Sequence, residues 1–193
     1  AGYHVYFNGA VTPVILETSS NAFQADSLIP ATGYEIRITA IDADGNESSG
    51  VTRTAATLMP NPSPLSIEPF SGYVKISWDG VEPAQYVREY AVFASLTQFS
   101  DVSAMTPLFT VSGPSAKVAG LTNGQTYYFA VATVNISGGM TDTVLAVEGT
   151  PVEDTFGPDV SNVLINGSAL VDGVFVTGNS TVTLTAQDPA GMA

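Results

Sequence analysis

Apolar and polar residues alternate in short runs along most of this 193-residue chain, with Gly, Pro, Asn and Asp between the runs. Y-V-K-I-S-W (73–78) alternates strictly, R-E-Y-A-V-F-A (88–94) follows it, and P-L-F-T-V (107–111) and S-A-K-V (115–118) are shorter. Y-Y-F-A-V-A-T-V (127–134) is long and apolar enough for a central strand, and T-V-L-A-V-E (143–148) reads as the strand that closes the set. A period of two belongs to a strand with one buried face, and a continuous apolar run to one covered on both faces. No long 3.6-residue periodicity interrupts these runs, so the pattern predicts an all-β fold with little helix.

The pattern also repeats. A step of 93 residues carries Leu28 to Leu121, Tyr34 to Tyr127 and Thr57 to Thr150, linking L-I-P-A-T-G-Y-E-I-R-I-T-A (28–40) with L-T-N-G-Q-T-Y-Y-F-A-V-A-T (121–133). A step of 87 relates Y-H-V-Y-F-N-G (3–9) to Y-A-V-F-A-S-L (90–96). A self-match of this length predicts a tandem array in which each period is one β-sandwich.

The residues that carry the repeat resemble those of fibronectin type III domains. Trp78 stands where that family places its strand-B tryptophan, and Leu121 with Tyr127 resembles its tyrosine corner. Leu28, Pro30, Thr32 and Tyr34 form the same motif earlier in the chain, before a strand that runs into a D-G hairpin (36–48). The resemblance implies tandem sandwiches in a line: a partial fibronectin type III domain over 1–58, holding late strands only, and a complete one over 59–150. The Pro-rich M-P-N-P-S-P (59–64) reads as an extended linker between them. S-N-V-L-I-N-G (161–167), G-V-F-V-T-G (173–178) and T-V-T-L-T-A-Q-D (181–188) resemble the opening of a bacterial immunoglobulin-like domain, assigned to 151–193.

Composition narrows the chemistry. The net charge is −13, spread as −4 over residues 1–59, −4 over 60–150 and −5 over 151–193. Such a surface repels phosphate, so nucleic acid and anionic membrane are poor partners. No run of 18 apolar residues predicts membrane insertion. The absence of Cys removes thiol catalysis and Cys-zinc sites and is compatible with an extracellular setting. No signal-type segment is present and the first residue is Ala, so the expectation is a piece of a longer polypeptide.

Asp42, Asp44, Asn46 and Glu47 surround Gly45 and offer oxygen ligands for Ca²⁺, the one cofactor the sequence suggests. The rival reading is a polar hairpin turn in which Asp and Asn bond their own backbone. A full calcium loop needs Glu at position 53, which is Arg53, so the turn is favoured. Glu153, Asp154 and Asp159 form a second acidic patch, read as a charged linker in preference to a junction calcium site. His4, the sole histidine, lacks a partner nucleophile or a second imidazole, and Glu82 and Glu89 read as solvated loop ends. No phosphate-loop, dinucleotide, zincin or nucleophile-elbow motif occurs, so no catalytic residue is assigned. Sequons stand at Asn46, Asn135, Asn166 and Asn179. Tyr3, Phe7, Tyr90 and Phe93 are candidates for stacking on sugar, although strand alternation turns at least one of each pair inward. Phe99 and Met105 sit in a loop that folds back on the sandwich or marks an interface.

The expected function is a non-catalytic spacer or adhesion segment of a large secreted or cell-surface bacterial protein. Its partners are neighbouring domains of the same polypeptide and a protein or carbohydrate. Two alternatives place the modules beside a secreted carbohydrate-active enzyme or in a YD-repeat polymorphic toxin. A third makes the chain a filament subunit joined by strand complementation, with one copy's tail completing the next copy's head.

Overall fold

Among the described residues, 2–13, 15–18, 21–155, 157, 159–165, 168–169 and 181–187, the computed structural model has fourteen strands and one 3₁₀ turn, Ala84–Tyr86. The first four are β1 (Gly2–Phe7), β2 (Ile15–Thr18), β3 (Gly33–Ile41) and β4 (Val51–Ala56). They form one antiparallel sheet in the order β2-β1-β3-β4. The β3–β4 hairpin turns at residues 42–46 and returns through Gly50 at φ +77°, whose α-hydrogen side lies against the Ile38 carbonyl. A Cβ there would stand 2.5 Å from that oxygen, so both the backbone angle and the space require glycine.

Residues 66–149 build a two-sheet sandwich. One sheet holds β5 (Ser66–Phe70), β6 (Tyr73–Ser77) and β9 (Ser115–Ala119) in the order β5-β6-β9. The other holds β7 (Val87–Ser95), β8 (Phe109–Val111), β10 (Tyr127–Asn135) and β11 (Val147–Gly149) in the order β11-β10-β7-β8. Between the sheets lies a core of Val74, Ile76, Trp78, Tyr90, Val92, Val118, Phe129 and Val131. Trp78 meets the Tyr90 ring edge-on at 5.3 Å, and the Tyr90 hydroxyl accepts the Val81 N–H at 3.0 Å. The alternation predicts the all-β content, and the resemblance to fibronectin type III domains implies the immunoglobulin-like sandwich found here.

The outer face of β7 and β10 is buried as well. Phe93, Ala91, Ala130, Ala132 and Val134 meet Val102, Val144 and Ala146, with Phe99 and Met105 packed against them. The loop apolars therefore fold back on the sheet and close a second small core. Tyr90 and Phe93 point to opposite faces yet both are buried, because each face is covered. Alternation requires at least one of such a pair to turn inward, and here both do.

Two strands differ from the sequence expectation. Residues 143–146 pair only locally, through the Val144 N–H to the Ser100 carbonyl at 3.0 Å, and the regular closing strand is confined to Val147–Gly149. Beyond Phe129 the β10 edge is met instead by Asn61, whose Oδ1 accepts the Thr133 N–H. Conversely, β5 contains Pro69 and shows no strict alternation, which hid it in the sequence; it forms at a sheet edge, where a missing N–H is tolerated.

The pairing register repeats between the two assemblies. Tyr3↔Ala40, Val5↔Ile38 and Phe7↔Ile36 in the first sheet correspond to Tyr90↔Thr133, Val92↔Val131 and Ala94↔Phe129 in the sandwich. In the last pair the phenylalanine changes strands, and its partner is isoleucine in the first sheet and alanine in the sandwich. Further on, β12 (Asp159–Ile165), β13 (Ser168–Ala169) and β14 (Val182–Gln187) form a sheet in the order β13-β12-β14. The expected strand at 173–178 lies outside the described residues.

Candidate functional site

For a chain of stacked sheets the decisive geometry is where one assembly meets the next, and here that junction is bonded rather than merely stiffened. The Pro-rich segment was expected to be a plain extended linker. Instead Met59 is buried in the sandwich core, and the Asn61 amide spans the sheet end. Asn61 Nδ2 donates to the carbonyls of Thr141 (3.1 Å) and Thr143 (2.9 Å), while its Oδ1 accepts the Thr133 N–H at 2.9 Å. Three contacts through one side chain fix the linker to β10 and the segment beyond it.

Asn135, at the end of β10, makes the second clasp. Its side chain is buried and all its principal bonding capacity is used. Nδ2 donates to the carbonyls of Ala56 (2.8 Å) and Thr57 (3.0 Å), the last residues of the first assembly. Oδ1 accepts the N–H groups of Ser137 (3.0 Å) and Gly139 (2.8 Å), shaping the S-G-G-M turn. The Ser137 hydroxyl in turn accepts the Ala56 N–H at 2.9 Å. The sequon at Asn135 is therefore an internal hydrogen-bonding post, with its amide nitrogen committed. Asn166 and Asn179 lie outside the described residues.

Close packing supports the polar clasp. Gly33 opens β3 directly against the Tyr86 ring, leaving no room for a Cβ. Ala31 packs against the sandwich core, and its N–H donates to the Leu58 carbonyl at 3.1 Å. Gly139 faces Leu58, whose Cδ2 would lie 2.9 Å from any added Cβ.

The tyrosine pairs sit in corresponding corners. Tyr34 Oη accepts the Ile29 N–H at 2.9 Å, and Tyr127 Oη accepts the Thr122 N–H at 3.1 Å, each spanning five residues. Leu121 packs at the sandwich core and Leu28 is half-buried.

The acidic turn divides into two unconnected parts. Asp42 Oδ1 accepts the N–H groups of Asp44 (2.9 Å) and Asn46 (2.8 Å), and Oδ2 accepts the Asn46 amide at 2.8 Å. The Asn46 bonds hold the Asp42 carboxyl below its ordinary range. Glu47 faces away, toward the outer side of β1 and β3. Its Oε1 accepts from Thr39 Oγ1 at 2.5 Å and Tyr6 Oη at 2.7 Å, and its Oε2 lies 3.2 Å from His4 Nδ1. The Thr39 bond first, then Tyr6 and His4, pull the Glu47 pKa down to about 2, while the same carboxylate raises the Tyr6 phenol. Arg37 covers the Tyr6 ring at 4.1 Å. The four candidate calcium ligands thus do not converge, and among the described residues no three of His, Asp and Glu gather as a metal site.

Elsewhere, Glu82 accepts the Ala84 N–H and Glu89 pairs with Arg88 at 2.7 Å. Glu153 and Asp154 are exposed, and the Asp159 side chain lies outside the described residues. Sequence reasoning missed Asn61 and the role of Asn135, because their partners lie 72 to 82 residues away. The only local signal is an amide-bearing side chain inside a Pro-rich or strongly apolar run.

No protein-family model matches the chain, and no curated protein matches it. Among solved structures it is similar to the chicken CNTN1 FN1-FN3 domains, at 19% identity and a TM-score of 0.48, covering 79% of this chain and 54% of that one. It thus spans about half the length of that neighbour. It is also similar to the 6th fibronectin type III domain from human fibronectin type III domain containing protein 3, at 18% identity and a TM-score of 0.41, covering 53% and 95%. A third is the central fibronectin-III array of RIM-binding protein, at 14% identity and a TM-score of 0.34, covering 96% and 66%.

Proposed function

We propose that this chain is a non-catalytic structural segment of a large secreted or cell-surface bacterial protein, holding neighbouring modules at a set angle. The division behind this reading is a partial fibronectin type III module over 1–58, a complete one over 59–150 and a third β module from 151. The observation that carries it is the double clasp of Asn61 and Asn135. Between these two residues, five hydrogen bonds fix the linker, each about 0.5–1.5 kcal/mol net. A flexible tether does not need hydrogen-bonded amides that fix its path; a lever arm does. The acidic surface keeps such an array soluble and leaves its faces open to protein or carbohydrate partners.

Residual dipolar couplings test this. A rigid arm gives residues 2–56 and 66–149 one shared alignment tensor. Two tensors of different magnitude for the two assemblies would mean a swivelling tether and would end the lever reading.

A further inference from the structure

The two outer faces of the sandwich differ in kind. That of β7 and β10 is apolar and closed by its own loops, with Phe93, Val102 and Val144 in the second core. That of β5, β6 and β9 is open: Glu68, Lys75 and Lys117 are exposed, while Val74, Ile76, Ala116 and Val118 point inward. The pairing sets the outward side chains in three rows across the three strands. Phe70, Tyr73 and Ala119 form the first row, Glu68, Lys75 and Lys117 the second, and Ser66, Ser77 and Ser115 the third. At a rise of about 3.4 Å per residue the rows together cover about 14 Å along the strands.

The middle row carries a repulsion. Lys75 and Lys117 stand directly opposite each other, and like charges in that position destabilise a sheet. The chain holds only five basic residues under a net charge of −13, so two on one patch stand out. Arg88 is paired with Glu89, whereas among the described residues neither lysine meets a carboxylate at salt-bridge distance, Glu68 included. Lys117 Nζ lies 3.9 Å over the Tyr73 ring, whose other side is stacked on Phe70 at 4.7 Å and 6°. Rings stacked across neighbouring strands stand on edge and turn their positive rims outward. Neither ring belongs to a core. Two ammonium groups, two ring rims and a row of hydroxyls thus face one way, and a bound anion would relieve the lysine repulsion. At its Ser66 and Ser77 end the face runs into a groove of about 240 Å³ whose wall includes Pro64, Leu65 and Trp78.

We infer that this face binds an acidic polysaccharide, one whose sugar rings carry carboxylates beside free hydroxyls. The carboxylates seat on Lys75 and Lys117, the serine row exchanges hydrogen bonds with hydroxyls, and the apolar groove wall takes the C–H face of a ring. Glu68 decides against an acidic polypeptide: it repels a run of carboxylates but accepts protons from sugar hydroxyls. At about 0.15 M salt the Debye length is about 8 Å, so these near groups outweigh the acidic residues elsewhere on the chain. The inference names a partner for the faces that the structural reading leaves open. Its failure is distinct from failure of the lever, which the alignment tensors report and which this face does not affect.

NMR titration of the whole chain tests this. The probes are fragments of polygalacturonate and of alginate, with dextran, carboxyl-reduced polygalacturonate and poly-L-glutamate as comparisons. The uronate fragments are expected to shift the amides of residues 66–70, 73–77 and 115–119 and to leave those of 87–95 and 127–135 in place. Dextran and the carboxyl-reduced polymer are expected to shift none of them, and poly-L-glutamate to bind about ten-fold more weakly than the uronates. Lys75→Gln combined with Lys117→Gln is expected to weaken uronate binding about ten-fold or more, with the urea midpoint read at Trp78 unchanged. No response to either uronate overturns the inference. Equal binding of dextran or of the reduced polymer overturns it too, because the lysines would then be idle. Equal binding of poly-L-glutamate assigns the face to an acidic polypeptide, and unchanged uronate binding in the double variant removes the lysines from the contact; each ends the proposal.

Discussion

Replacing Asn135 by Asp separates the turn from the clasp with a change of one atom. The carboxylate still accepts from Ser137 N–H and Gly139 N–H, so the turn after β10 keeps its shape. It has no protons for the carbonyls of Ala56 and Thr57, now facing it at the distances of 2.8 and 3.0 Å that the amide held. Two bonds at about 1 kcal/mol each are lost, and oxygen is set against oxygen in a buried site, for a total of about 3 kcal/mol. Opening the junction hydrates the carboxylate and relieves the conflict, so the cost falls on the junction and the sandwich is spared. The Ala56 amide reports this directly, because its N–H crosses to Ser137 Oγ. Native-state hydrogen exchange at Ala56 is expected to quicken about a hundred-fold, since 1.4 kcal/mol is about ten-fold. Urea unfolding of the sandwich, followed by the single tryptophan, Trp78, is expected to shift by less than about 1 kcal/mol. Ser137→Ala removes one neutral bond and is expected to quicken Ala56 exchange only about five-fold. If Asn135→Asp leaves Ala56 exchange within two-fold of the parent, the clasp does not hold the junction and the argument fails.

Three further outcomes follow from the geometry. Gly33→Ala drives a methyl into the Tyr86 ring and is expected to cost about 1–3 kcal/mol, with the loss read by NMR at residues 31–33 and 84–87 together. Phe93→Ala empties the second core and is expected to lower sandwich stability by about 3–5 kcal/mol in urea titration; a loss under 1 kcal/mol would make that face ordinary surface. Glu47 has a folded pKa below its unfolded 4.5, so its stabilising contribution is full above about 4.5 and disappears as pH falls toward about 2. Acid titration followed at Tyr6 and Thr39 should show this loss, and Glu47→Gln should flatten it.

Much of the sandwich is legible in the sequence because strands declare themselves locally. The alternation of 73–78 and the apolar run of 127–134 locate β6 and β10, and the tyrosine spacing locates both corners. What stays hidden is set by contacts distant in sequence. Pro69 disguises β5 because edge position is a property of the whole sheet. Asn135 reads as a sequon because its carbonyl partners lie 78 and 79 residues back. Glu47 is a calcium candidate only because it adjoins Asp42 and Asp44 in sequence, whereas its carboxylate bonds Tyr6 and Thr39 across the sheet. Residue type survived translation into structure; direction did not.

The change of strand by the phenylalanine between Phe7–Ile36 and Ala94–Phe129 bears on how tandem copies fold without confusion. Neighbouring repeats on one ribosome-born chain sit at very high mutual concentration, and strands of the same register are natural candidates for trading places. A traded strand here would oppose Phe7 to Phe129, overfilling one core, and Ala94 to Ile36, leaving a void in the other. Each repeat thus carries a mismatched key for its neighbour's lock at this cross-strand pair.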